Sequence, residues 1–277
     1  NGGGVLTIGG SVTISGGTIS GNSAARAGGG IENNAGSVTL IGVTLGGTTA
    51  SEGNFAGVNG GGLHISGAGD VTIEGGDISN NTAAAEGGGL WNSATGEMTL
   101  DGTNAEIVIS SNTAAGNADP TGAPATLQGG GGIFNDGGTL TLTGANNGIT
   151  ISDNTATGAN FGSGGGLLTI GGTVSATNTR FQFNSAVRAG GGIEVVTGDV
   201  TLTNSNLLNN DVNSIVLPTA SPGNGGGLHV TGAANVTLDG GSVFGNEAAS
   251  EGGGLWNSAT GTMTLIGGVI VSGNTAS

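Results

Sequence analysis

The sequence predicts an all-β fold: a right-handed, single-stranded parallel β-helix of nine coils, with three short strands in each coil. Three observations predict it. Gly-Gly-Gly followed by an aliphatic residue occurs nine times, starting at Gly2, Gly28, Gly60, Gly87, Gly130, Gly164, Gly190, Gly225 and Gly252, with successive starts at least 26 residues apart. Between the triplets, apolar and hydroxyl residues alternate with the period of a strand and nowhere with that of a helix. An asparagine then recurs at the end of the third segment. Repeats on this scale bury their apolar faces only against their neighbours, which is the logic of a solenoid.

In each coil the first strand opens directly after the triplet, as in Val5-Leu6-Thr7-Ile8. The second strand has the cleanest pattern: Val12-Thr13-Ile14, Val38-Thr39-Leu40, Val71-Thr72-Ile73, Met98-Thr99-Leu100, Leu140-Thr141-Leu142, Val200-Thr201-Leu202, Val236-Thr237-Leu238 and Met263-Thr264-Leu265, with Val174-Ser175-Ala176 as a mild departure. Aliphatics on either side of Thr put two side chains inside and the hydroxyl outside. The third strand ends on Asn22, Asn81, Asn112, Asn154, Asn184, Asn210, Asn246 and Asn274, with Thr48 taking the place in coil two. Asn tolerates left-handed backbone at turns, and stacked amides bond from coil to coil, so this column reads as a structural ladder.

Extra residues fall between the Asn corner and the next triplet, at 49–59, 115–129, 157–163 and 212–224, and two of these stretches hold Pro120, Pro124, Pro218 and Pro222. Such insertions project from one edge, where solenoids place variable loops. A longer period is also present. Residues 87–96 recur unchanged at 252–261, and Arg26, His64 and Trp91 have counterparts in Arg188, His229 and Trp256. The chain therefore reads as one solenoid made of a five-coil unit, 1–163, and a partial second copy, 164–277. Neither terminal coil has the polar character of a cap. The expectation is a piece of a longer repetitive protein, or a subunit whose ends are covered by neighbouring copies.

Composition narrows the function classes. Arg26, Arg180 and Arg188 are the only cations against 18 carboxylates, for a net charge of −15. That argues against nucleic acid or an anionic membrane surface as a partner, because both demand basic patches. There is no cysteine, hence no disulfide, thiolate or cysteine–zinc chemistry. No run of about 18 apolar residues suggests a transmembrane helix.

The repeat resembles that of the polymorphic outer-membrane proteins and related autotransporter adhesins. The resemblance rests on Gly-Gly-(small)-(Ile/Leu) followed by (Phe/Ile)-x-x-Asn: Phe181–Asn184 carries the Phe form, and Ile19–Asn22, Ile78–Asn81, Ile109–Asn112 and Ile151–Asn154 the Ile form. This chain differs in using Gly where that family commonly has Ala, and in its scarcity of Phe. The resemblance implies a right-handed parallel β-helix, secretion, and an adhesive place outside the cell or at its surface. It transfers no catalytic residue.

Four places invite a functional reading. The residue after the aliphatic forms an outward column: Leu6, Glu32, His64, Trp91, Phe134, Leu168, Glu194, His229 and Trp256. Beside a flat glycine strip, Glu32, His64, Trp91, Phe134, Glu194, His229 and Trp256 form a candidate stripe for a glycan or protein partner. The competing reading is a stripe covered by loops or by a neighbouring chain. Second, Asp70 should stack on Glu97 and Glu74 on Asp101, and calcium, the one candidate cofactor, would relieve the repulsion. Solvated acids are the competing reading, since the second copy does not reproduce the pairs. Third, the Thr column looks like an ice-binding face, although acids interrupt its flanks and Thr suits any exposed strand. Fourth, some parallel β-helices cleave polysaccharides, but no cluster of acid, base and cation can be assembled here. The expectation is a non-enzymatic stalk, fibre segment or self-stacking filament subunit. Its partners would be flanking repeats or further copies, with a surface glycan or protein as the alternative.

Overall fold

In the computed structural model the described residues are 1–116, 128–145, 148–158, 161–212 and 222–277. Among them every regular element is a strand, and neighbouring coils pair in parallel throughout. The largest sheet joins 23 strands and wraps round the solenoid axis. In coils one to three successive strands run together, as Val5–Ser15, Ile31–Gly46 and Gly69–Ser79. From coil four they separate, as Leu90–Asn92, Glu97–Gly102 and Ile107–Ser110.

Register follows the side-chain pattern. Val12, Val38, Val71, Met98, Leu140, Val174, Val200, Val236 and Met263 stand over one another. A slip of one residue would turn every such side chain outward, so the buried column holds each coil in place. These columns merge into one continuous core from Ile31 to Val243, and Val174 and Ala176 belong to it despite the local departure in sequence.

The Asn column is a ladder with one correction. Each interior member donates its backbone N–H and its Nδ2 to the Oδ1 of the next, as Asn81 does to Asn112 at 2.9 and 3.0 Å. In coil two the member is Asn54, not Thr48: Asn22 donates to Asn54 Oδ1, and Asn54 donates to Asn81 Oδ1. Thr48 instead donates its backbone N–H and its hydroxyl to Glu52. The extra residues of coil two therefore begin before the ladder position, between Gly46 and Asn54. The left-handed residue is also not the ladder Asn but the one before it: Asn80, Ser111, Asp153, Phe183 and Asn209 have φ of 58°, 56°, 56°, 54° and 50°. That residue makes the corner, which leaves the following amide free to point into the coil, where it is buried.

A fourth short pairing follows the ladder. Ser23–Ala24, Phe55–Ala56, Thr82–Ala83, Thr113–Ala114, Thr155–Ala156 and Ser185–Ala186 stack in parallel with their alanines buried. Of the corner insertions, residues 117–127, 159–160 and 213–221 lie outside the described residues, with Pro120, Pro124 and Pro218 among them.

Candidate functional site

The column after the triplets forms as a register: Leu6, Glu32, His64, Trp91, Phe134, Leu168, Glu194, His229 and Trp256 succeed one another coil by coil. It is not an open stripe. His64 and Trp91 are 6% and 8% exposed, and Glu32, Phe134, Glu194 and His229 are buried as well. The cause lies in the triplet. Its first glycine has positive φ, +65° at Gly28, and turns the incoming corner back against the outer face of the strand; a Cβ there would sit 2.8 Å from Glu32 Cα. The stripe thus fills a second, smaller core outside the coil ring, where Trp91, Phe134 and Leu168 pack with Ile170 and Val196. Trp256, in the last coil, is half-buried.

Within this outer core a polar stack occurs twice. His64 Nδ1 lies 2.9 Å from Glu32, and His229 Nδ1 lies 2.8 Å from Glu194. Each imidazole stacks on the next coil's indole, His64 on Trp91 at 4.3 Å and His229 on Trp256 at 4.4 Å. Each indole N–H donates to a glutamate five residues earlier, Glu86 at 3.1 Å and Glu251 at 2.9 Å. Ser66 donates to Glu32 and Thr231 to Glu194. Arg188 Nη1 stands 4.0 Å from Glu194 and donates to Ser163. In the first copy the stack extends to Phe134, whose ring lies 5.9 Å from that of Trp91 with its plane nearly parallel.

No protein-family model, curated protein or solved structure matches the chain. Its function is therefore argued from the geometry of this site and of the remaining faces.

Burial by itself would raise the pKa of the Glu32 carboxyl, but His64 and Ser66 bond to its charged form, and the net effect holds it below its ordinary value of 4.5. A carboxyl whose folded-state pKa is depressed contributes stability above its unfolded pKa, and that contribution is lost as pH falls through the folded value. The melting temperature should accordingly drop more steeply below about pH 4.5 in the native chain than in Glu32→Gln, as thermal unfolding across an acid series would show. Equal slopes would contradict the pairing. Asp136 shifts the other way: burial raises its pKa, partly offset by the charge of His64.

The acidic pairs stack as expected, Asp70 beside Glu97 and Glu74 beside Asp101. Asp101 turns its carboxylate onto Thr103, accepting from the backbone N–H at 2.9 Å and from the hydroxyl, and this holds its pKa below the ordinary range. Among the described residues no three His, Cys, Asp or Glu side chains converge to hold a metal. The hydroxyl column is unbroken from Thr13 to Thr264, with Ser175 as its single serine. Two shallow depressions at the turns each present one titratable residue, Glu106 in one and Glu97 in the other.

Sequence reasoning missed Glu86, Glu251, Ser66, Thr231 and Arg188. For the two glutamates and the two hydroxyl residues the signal was available: each Trp follows a Glu by five residues and each His precedes a hydroxyl by two. It also missed a short amide run inside the main core, where Asn92 donates to Asn135 and Asn135 to Thr169.

Proposed function

We propose that the chain is a non-enzymatic structural rod, a stalk or fibre segment of a repetitive secreted surface protein that displays its corner insertions. The observation that carries this reading is the duplicated Glu–His–Trp stack. It holds the buried acids Glu32 and Glu194 and both imidazoles, the groups best suited to proton transfer, pairs each Nδ1 with its carboxylate inside the wall, and places none of them in the lining of either depression. Catalysis by a glycosidase-type mechanism needs two carboxyls flanking a bound sugar, and each of the two depressions supplies one among its described lining residues. A cell-surface place is supported by the resemblance to adhesin repeats and by a strongly acidic exterior. That exterior keeps a rod soluble and disfavours adsorption to anionic surfaces.

The test is to incubate the purified chain with a panel of acidic and neutral polysaccharides, following chain cleavage, and in parallel to measure binding of chain-coated beads to glycans and cells. No turnover, with binding that does not require Trp91, is the expected result. Cleavage that disappears on replacing Glu97 or Glu106 would overturn the proposal.

A further inference from the structure

We infer that one wall of coils six to eight is a binding site for a glycan that carries an isolated sugar carboxylate on an otherwise neutral chain. The inference rests on the rod reading, whose coil register assembles this wall, and deepens it by naming a ligand class and its residues.

The wall is the outer face of the third strand. Register sets Gln182, Leu208 and Phe244 side by side in successive coils, with Arg180, Asn206 and Ser242 forming the next column. Phe183 follows Gln182 at the corner. Phe183 and Phe244 are 52% and 50% exposed, and Leu208, in the coil between them, is partly exposed. All three lie inside the stack, because Ser272 of coil nine pairs beyond Phe244. Scattered apolar residues are ordinary on a surface, whereas adjacent ones mark a place of contact.

Two further observations say that this contact is with a ligand and what the ligand carries. Phe183 has φ of 54°, in the left-handed region where a bulky side chain is an outlier. The same corner is Asn80 in coil three, Asn209 in coil seven and Gly245 in coil eight, residue types that adopt this conformation readily. A phenyl ring half in water gains little burial to offset the strain, and strain kept without a packing gain points to function. The second observation is charge. The ion pairs among the described residues belong to His64, Arg188 and His229, and Arg180 Nε is buried with no hydrogen-bond partner. Residues 178–184, 204–210 and 240–246 contain no Asp or Glu, so no carboxylate shares this wall of the three coils with Arg180.

The ligand follows from these groups. Phenyl faces offer apolar platforms to the C–H faces of sugar rings, and a guanidinium matches a carboxylate with two parallel hydrogen bonds. Phe183 and Phe244 are two coils apart, about 9.6 Å at the usual strand spacing, so one extended chain lying along the rod reaches both. The net charge of −15 repels a polyanion, which leaves a single carboxylate on a neutral chain as the charge that one arginine can hold. The first copy supplies the contrast. It has Thr18 and Gly21 where Arg180 and Phe183 stand, and Ser79 where Phe244 stands, although the triplets and the Asn ladder are kept. The site therefore belongs to the second copy alone.

The test applies the chain to an array of neutral oligosaccharides, the same oligosaccharides bearing one sugar carboxylate, and polyuronates. Three variants, R180T, F183G and F244S, each write in the first copy's residue. Retention of singly carboxylated members above their neutral counterparts is expected, with R180T removing that preference. F183G and F244S should each weaken retention about tenfold. F183G should at the same time melt at or above the native temperature, since glycine relieves the strained corner. A merely structural phenylalanine would instead lower the melting temperature of F183G. That outcome, retention of polyuronates alone, retention unchanged in F183G and R180T, or no retention of any member would each overturn the site while sparing the rod. Cleavage of an array member by the native chain would overturn the non-enzymatic rod reading itself.

Discussion

Asn112→Ala is expected to be among the most destabilising single substitutions in the chain. Asn112 donates its backbone N–H and Nδ2 to Asn154, donates Nδ2 to Ile78 O at 2.8 Å, and accepts both N–H and Nδ2 from Asn81. Truncation leaves the buried N–H of Asn81 without an acceptor and strands an amide proton of the same residue. It also opens a cavity at a position that is 0% exposed. At about 1–3 kcal/mol for each buried group left unpaired, the loss should total roughly 3–6 kcal/mol. Asn22→Ala is the matched comparison: Asn22 only donates to its ladder neighbour, and it is half-buried on the first coil. Its loss should stay near 1 kcal/mol, a typical value for one ordinary hydrogen bond. Denaturant unfolding of both variants checks the ratio, and equal losses would mean that the ladder is not cooperative.

The second large effect concerns the triplet. Gly131→Ala would place a Cβ 2.5 Å from Gly165 O and 2.6 Å from Thr155 N, both backbone atoms of the stacked wall that no side-chain rotation can move away. The coils must separate locally, and the expected cost is at or above the roughly 1–3 kcal/mol typical of overpacking. Gly171→Ala meets nothing nearer than 3.5 Å, and Gly171 does not have a positive φ, so that variant should unfold close to the native midpoint. Thermal melts of the two variants distinguish a triplet that permits close backbone approach from one that merely supplies turns.

The contrast also explains what could be read from the residues. Val-Thr-Leu segments declare their inside and outside faces through a period of two, and stacking such segments leaves a single register, so the columns from Val12 to Met263 were legible. Thr48 misled because it stands three residues after Leu45, as Asn22 stands after Ile19 and Asn81 after Ile78. Counted backward, Asn22, Asn81, Asn184 and Asn246 each stand six residues before the next triplet, and so does Asn54. The left-handed residue was assigned one place late because Asn has that tendency in general, whereas here the amide's bonds hold it inward and the preceding residue makes the corner. The burial of Glu32, His64 and Trp91 was not legible for a deeper reason. Alternation along a strand says which side chains leave the ring, and it does not say that a Gly-directed corner will fold back over them. That depends on the direction in which a positive-φ glycine turns the corner, as Gly28 turns it back against Glu32 four residues on, which the alternation does not encode.

The most direct test of the central claim, a rod built by stacking coils in register, is a set of spin–spin distances along the exposed hydroxyl column. The chain has no cysteine, so paired cysteines introduced at Thr72 and Thr201, at Thr39 and Thr237, and at Thr13 and Thr264 would be labelled alone. These pairs are four, six and eight coils apart by register. At the usual strand spacing they should give narrow distributions near about 19, 29 and 38 Å, rising linearly with coil number. Distances that fail to scale with coil number, or broad distributions for the short pair as well as the long one, would contradict the stacked solenoid and with it the proposed role as a rod.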